Sequence, residues 1–400
     1  MIQHIKAQAA FLIEEIIQIR RYIHQNPELS YHEDQTMEYI SKILTQWNIE
    51  HKKGVGKTGI MGHIHGKKPF SKLILLRADI DALPIQEENE VNYKSQKPNC
   101  MHACGHDVHT ASLLGTLKIL KGMENDFEGS IRFIFQPGEE LFPGGATLMI
   151  EDGVLKDPIP QLAIGQHVYP DFEAGYCGFK GGEYMASADE ITLKVKGKGG
   201  HAAMPHKTPD TIITAAHILT QLQNIVSRLC PPQIPSVLSF GHIEGGSVFN
   251  IIPSEVLIRG TFRTFDEEWR SHAHKKITEI CKNTAHSYDL DCDVYIEKGY
   301  PFLFNDVKKT RLSKNFAQDF LGKDYVKKLD LRLGAEDFAY YSHEIPSVFY
   351  RLGTSNFKNN IGGALHTSKF NIDESALQTG MGLMAFLSLS HLKELSYLKS

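Results

Sequence analysis

The apolar positions of this chain change their spacing along its length, and each change predicts a different kind of element. Near the start, Leu12, Ile16, Ile19 and Ile23 recur every three or four residues, which places them on one helical face and predicts a helix ending at Asn26-Pro27. Short apolar runs follow: Leu73-Ile74-Leu75-Leu76, residues 131–135 and Leu162-Ala163-Ile164, each trailed by polar or charged groups, with a helical stretch over 111–120 between them. Runs that are apolar at every position predict strands covered on both faces, so the alternation predicts an α/β layer with a largely buried sheet. In open sheets of that kind, ligands bind just past the strand ends, where the polar residues of this chain cluster.

From about Ser187 the period becomes two. Ile191, Leu193 and Val195 alternate with Thr192, Lys194 and Lys196, the pattern of a strand with one wet face. A helix with Ile212, Ala216, Leu219, Leu222 and Val226 on one stripe comes next, then strands over 236–243 and 255–263, a helix over 266–286 and a strand over 291–297. The order β-α-β-β-α-β is the ferredoxin-like arrangement. It predicts an inserted second domain, residues 187–298, within a first domain formed by 1–186 and 299–400. In the C-terminal part, residues 347–352 read as a strand and 374–392 as a final helix.

Charge narrows the function classes. The 43 basic and 47 acidic side chains give a net charge of −4 without long runs of either sign, which argues against nucleic-acid and anionic-membrane partners. No apolar run approaches the roughly 18 residues of a membrane span, and Met1 opens an amphipathic stretch rather than a signal sequence; the expected location is the cytoplasm. Six cysteines in 400 residues are too dilute for a disulfide scaffold, which leaves thiol chemistry or metal binding as their notable uses.

The densest candidate chemistry is His102-Ala103-Cys104-Gly105-His106-Asp107-Val108-His109. A thiolate and an imidazole separated by one glycine can face one ion if the glycine permits a tight backbone, and such N/S ligands suit zinc-like metals. Glu139 and Glu140 follow the strand over 131–135; adjacent carboxylates on a turn diverge, so one can bind metal while the other handles protons. His167 follows another apolar run, and His366 lies in a glycine-bearing loop. Asp79 and Asp81, two positions apart at a strand end, suit ligation or the orientation of ligand imidazoles. Arg351, on a strand, reads as a solvated side chain more than as a partner for a substrate carboxylate. Each fragment alone has an ordinary structural explanation.

Together the fragments resemble a known family. Arg21 to Ser30 with Glu33 and Thr36, Arg77 to Pro84, Cys104-Gly105-His106-Asp107, Pro137-Gly138-Glu139-Glu140, Gly199 to His206, Asn250-Ile251-Ile252-Pro253, Gly334 to Phe338 and Leu365-His366-Thr367 are similar, in order and over nearly the whole chain, to the motif series of the M20 metallopeptidases. The match is to the amidohydrolase branch, with its hippurate hydrolases, N-acetyl-diaminopimelate deacetylases and indoleacetyl-amino-acid hydrolases. The resemblance implies a zinc-peptidase-like catalytic domain with a mixed central sheet, and an inserted α+β domain acting as lid and dimerisation surface of a homodimer. It implies two divalent ions, zinc or manganese, held by Cys104, His106, Glu140, His167 and His366, with Cys104 where many relatives have a bridging aspartate. His106 then replaces a histidine that the wider family has at the position of Asp79, and Asp81 orients an imidazole. Glu139 is implied as general base and acid, His201 as the group that polarises the substrate carbonyl in the partner's site, and Asn250 as a substrate-binding residue. The implied activity is hydrolysis of N-acyl amino acids; a dipeptidase or carboxypeptidase on the same site is the alternative.

Overall fold

The computed structural model describes residues 1–397, and the last three residues of the expected first domain lie outside them. The chain divides into two compact units: among the described residues, 1–184, 304–330 and 337–397 form the first, and 185–303 with 331–336 the second. The segment 331–336 is the main departure from the expected boundaries, which put it in the first domain. It joins the second unit through backbone pairing, Met185 bridging Arg332 and the Ala186 N–H donating to the Arg332 carbonyl at 3.0 Å.

The first unit is built on an eight-stranded mixed sheet. Its order is His51–Val55, Gly59–His65, Ser130–Gln136, Leu73–Asp79, Leu162–Glu173, Ser347–Ser355, Cys177–Phe179 and Val326–Lys328. The strands Ser130–Gln136, Leu73–Asp79, Leu162–Glu173 and Ser347–Ser355 run parallel in the centre. Every residue of Leu73–Asp79 and Ser130–Gln136 is buried, so both faces of these strands are covered. The helices Ile2–Gln25, His106–Lys121 and Ala376–Tyr397 pack on one another, and Ile16, Leu113, Leu117, Leu383 and Leu387 join the sheet residues Ile74, Leu76 and Ile164 in one core. Each such side chain contributes roughly 1.5–3 kcal/mol by leaving water. Leu73–Asp79 runs three residues past its apolar run because Arg77 and Asp79 are buried as a pair, with Arg77 Nη1 2.5 Å from Asp79 Oδ2 and Nη2 2.7 Å from Asp337 Oδ1.

The second unit holds a four-stranded antiparallel sheet in the order Ser236–Glu244, Glu255–Thr264, Asp189–Lys196 and Asp291–Lys298. Its helices are Thr211–Asn224 and Glu267–His286, each started by an aspartate. Asp210 Oδ1 accepts from the N–H groups of Ile212 and Ile213, and Asp266 Oδ1 from that of Trp269, which satisfies donors that a helix start leaves unpaired. Ile191, Leu193 and Val195 point into a core with Ile218, Leu222 and Ile277. Among the described residues, no helix is long and apolar enough to cross a membrane.

Candidate active site

Two parallel strands of the first unit end beside the middle of a third, and polar residues from all three converge there. Asp79 closes Leu73–Asp79; Pro137-Gly138-Glu139-Glu140 follows Ser130–Gln136; His167 lies within Leu162–Glu173. Cys104 and His106 arrive from the start of the helix His106–Lys121. The turn into that helix needs Gly105, whose φ is 80° and whose added Cβ would lie 2.7 Å from a Val168 methyl.

Asp81 organises the centre. Its Oδ1 lies 3.1 Å from His106 Nδ1, and its Oδ2 accepts from Ser30 Oγ at 2.6 Å and from the Glu140 backbone N–H at 2.9 Å. One carboxylate therefore sets the His106 ring and the glutamate turn. Glu33 holds the same turn from the other side, accepting from the Gly138 N–H at 2.9 Å. With Nδ1 donating to Asp81, Nε2 of His106 faces inward, 3.7 Å from Asp79 Oδ2, 3.8 Å from Glu140 Oε1 and 4.0 Å from Glu139 Oε2. It is buried without a hydrogen-bond partner. His167 is fixed similarly: Nδ1 lies 2.8 Å from the Val168 carbonyl, leaving Nε2 3.5 Å from Cys104 Sγ. His366 is exposed, with φ 60° and its backbone N–H on the Ala103 carbonyl at 2.9 Å; its Nε2 lies 3.3 Å from Glu140 Oε1.

Among the groups of donor atoms that lie within 4.8 Å of one another, two share Cys104, which stands with His106 and His167 in one and with Glu140 and His366 in the other; His106 also groups with Asp79 and His109, and with Glu139 and Glu140. The electrostatics favour a cation there. Burial would depress His106, but Asp79, then Asp81 and Glu140, outweigh it and raise its pKa to about 10. Burial, reinforced by the Glu140 and Glu139 carboxylates, pushes the Cys104 thiol well above its ordinary range, so a thiolate there needs a nearby positive charge. Burial and then Arg351 keep His167 neutral, the form that ligates. An orphaned imidazole nitrogen, a neutral imidazole and a thiol ringed by carboxylates fit a pair of divalent ions.

Two nearby histidines stand outside the groups that share Cys104. His109 uses both ring nitrogens, with Nδ1 2.5 Å from Asp79 Oδ1 and Nε2 accepting from the Val168 N–H at 2.9 Å, so it braces the strand ends. His102 is buried, and burial lowers its pKa to about 4. Asp107 points away from the centre toward Arg20 Nε at 2.6 Å and His24 Nδ1 at 2.9 Å. Arg351 is buried and not solvated, because its strand Ser347–Ser355 is covered along its whole length, and its Nε donates to the Tyr184 hydroxyl at 2.9 Å.

His201 and Asn250 belong to the second unit. His201 is exposed on the short strand Gly200–His201, which pairs with Ile251–Ile252, and the Asn250 carbonyl accepts from the Ala202 N–H at 3.0 Å. The His201 ring accepts from the Ala203 N–H through Nδ1 at 3.1 Å, which leaves Nε2 outward.

Residues 75–389 match peptidase family M20/M25/M40. The chain belongs to that family. This M20 hydrolase is 40% identical over 368 residues to the N-acetyl-L-cysteine deacetylase of Bacillus subtilis, spanning 92% of this chain and 85% of the relative. It is 36% identical over 392 residues to thermostable carboxypeptidase 2 of Saccharolobus solfataricus, 97% of this chain and 98% of the relative. The crystal structure of the Bacillus subtilis YXEP protein, a dinuclear metal-binding peptidase from the M20 family, superposes with a TM-score of 0.81 at 32% identity, covering 96% of this chain and 99% of that one.

Proposed function

We propose that this M20 hydrolase is a metal-dependent amidohydrolase that cleaves N-acyl amino acids to a carboxylate and a free amino acid. The observation that carries the proposal is the sharing of Cys104 between two donor groups, which suits two divalent ions held by Cys104, His106 and His167 and by Cys104, Glu140 and His366. Bound ions of this kind supply a Lewis acid for the amide carbonyl and lower the pKa of water to near neutrality. Glu139, buried beside His106 Nε2 and outside the two donor groups that share Cys104, takes the proton of the attacking water and returns it to the leaving amine. Asp81 holds the ring of His106 while this happens. The thiolate and imidazole set suits zinc, with manganese the alternative. The six cysteines are all unpaired, as a reducing cytoplasm would keep them. Likeness to an N-acetyl-L-cysteine deacetylase supports the acyl-amino-acid substrate, and likeness to a carboxypeptidase supports the alternative of peptide substrates.

Turnover of acetyl, benzoyl, indoleacetyl and long-chain acyl amino acids, measured beside dipeptides with and without chelator, tests this. The expected result is acyl-amino-acid hydrolysis that disappears with chelator and returns with zinc or manganese. Preference for dipeptides would move the assignment to a peptidase, and indifference to chelator would overturn it.

The second unit supplies, in the same proposal, the lid and the surface of a homodimer, so that His201 donates to the oxyanion in the partner's site and Asn250 helps bind substrate. Mixing inactive His201→Ala and Glu139→Gln proteins should then restore activity, because one of the two sites in each heterodimer has both residues intact. Formed heterodimers that stay inactive would return His201 to its own loop.

A further inference from the structure

Between Ile80 and Gly105 the first unit has neither helix nor regular strand. Loops of that length inside a compact unit are uncommon and generally serve a purpose. Most side chains over 84–92 are exposed, yet Glu87 is buried. Its Oε1 lies 3.2 Å from His24 Nε2 and accepts from Asn89 Nδ2 at 3.0 Å, and its Oε2 accepts from the Ser95 N–H at 2.7 Å. Through His24 Nδ1, 2.9 Å from Asp107 Oδ2, the loop is tied to the residue beside His106. Residues 88 and 89 are tied to the segment that follows His366. The Glu88 N–H donates to the Ser368 carbonyl at 2.8 Å, Ser368 Oγ donates to Glu88 Oε2 at 2.8 Å, and Asn89 Nδ2 donates to the Phe370 carbonyl at 2.8 Å.

His366 needs such support. It is exposed, and its backbone sits in the left-handed region at φ 60°, a conformation uncommon among non-glycine residues and costly to hold. We infer that residues 87–89 form a strap that holds the His366 loop against the cation pocket, so that Asn89 is a positioning residue acting through His366. This rests on the two-ion reading of the site. Removal of a group that orients a ligand typically costs 10–100-fold in metal affinity. Loss of Asn89 therefore weakens one of the two ions and spares the one held by Cys104, His106 and His167.

Zinc is titrated into metal-free full-length protein against a competing chelator, for the wild type, Asn89→Ala, His366→Ala and the double variant. The expected result is two equivalents bound, one of them about 10–100-fold weaker in Asn89→Ala. The double variant should bind like His366→Ala alone, because Asn89 has nothing left to position. Wild-type affinity in Asn89→Ala, or an Asn89 effect undiminished without His366, overturns the strap while leaving the ligand assignment intact. Two wild-type equivalents in His366→Ala would instead refute the ligand role of His366, and the strap with it. Should Asn89→Ala fail to fold, Ser368→Ala, which removes only the hydroxyl bond to Glu88, is expected to weaken the same equivalent by a smaller factor; no change there counts against the strap.

Discussion

In the first unit the strand Leu73–Asp79 is buried along its whole length, including Arg77 and Asp79, whereas in the second unit Asp189–Lys196 alternates and buries charge only at its first residue. Both buried aspartates face an arginine. Arg270 grips Asp189 with Nε at 3.0 Å and Nη2 at 2.5 Å, gives further bonds to the carbonyls of Ala188 and Gly299, and His274 Nε2 completes the cluster at 2.7 Å from Asp189 Oδ2. Neither Asp189 nor Arg270 has a buried side-chain atom without a partner. Around Asp79 and Asp81 the bonding stops short, and His106 Nε2 is left facing three carboxylates. A closed polar cluster is a structural joint. An open one, with its free valences aimed at a common point, is a binding site.

The comparison breaks most visibly if the open cluster proves dispensable for chemistry. Glu139→Gln keeps the shape and hydrogen-bonding reach of the side chain and removes the base. Turnover should fall by about 10²–10⁴-fold with metal content unchanged. Near-normal turnover with two ions bound would mean that another group moves the proton, or that Glu139 and Glu140 have exchanged roles.

The closed cluster makes the opposite prediction. Arg270→Met leaves Asp189 buried without its charge partner, a change that costs about 3–5 kcal/mol. Denaturant unfolding of the full chain should show that loss, while metal stoichiometry, which depends on residues of the first unit, stays at the wild-type value. A loss under about 1 kcal/mol would show Asp189 to be satisfied by other groups, and a loss of bound metal would contradict the separation of roles.

The two regions were also unequally legible in the sequence. In the second unit the alternation from Ile191 to Val195 matches the buried face of its strand, and the four main strands and two helices lie within a residue or two of their expected bounds. The expected helix stripe is displaced: Ile212 and Ala216 are exposed and the buried face is Thr211, Thr214, Ala215, Ile218 and Leu222, because the small Thr214 and Ala215 side chains pack on the sheet where hydropathy favours Ile212. In the first unit hydropathy ended the central strand at Leu76, since Arg77 and Asp79 are charged and only tertiary pairing makes them core residues. Cys104, His106, Glu139, Glu140, His167 and His366 were legible as motif members although they lie far apart along the chain. The resemblance also implied a shared role for Cys104, but which of the other donors stand together on each side of it was not legible, because that depends on distances. The resemblance chose His106 over His109, and the structure supplies the physical difference, which is that both ring nitrogens of His109 are already engaged. The strap from Glu87 to Asn89 left no trace. It reads as an ordinary polar loop, and its buried carboxylate is recognisable only by its bonds to His24, Asn89 and Ser95.

The smallest predicted effect comes from an orphaned atom that belongs to no site. His391, on the helix Ala376–Tyr397, is buried with Nε2 2.7 Å from Ser313 Oγ and Nδ1 without a hydrogen-bond partner. It stands outside every group of converging donors, so by the same reasoning it is a defect of packing and not a ligand. Burial, then the nearby Lys309 charge, lowers its pKa to about 3 from an ordinary 6.5. The folded state therefore keeps this ring neutral, while the unfolded chain takes up a proton as pH falls below about 6.5. Stability contributed by the neutral ring is fully present above that pH and drains away toward pH 3, at no more than about 1.4 kcal/mol per pH unit. His391→Gln retains a partner for Ser313 and removes the titration. Urea unfolding at pH 7.5 and pH 5 should show the wild type losing more stability than the variant over that interval, with activity and metal content of the variant unaltered at neutral pH. Equal losses would mean that His391 takes up its proton in the fold without penalty. Loss of bound metal would mean that an isolated orphan nitrogen can matter to the site after all, and that convergence is not what separates His391 from His106.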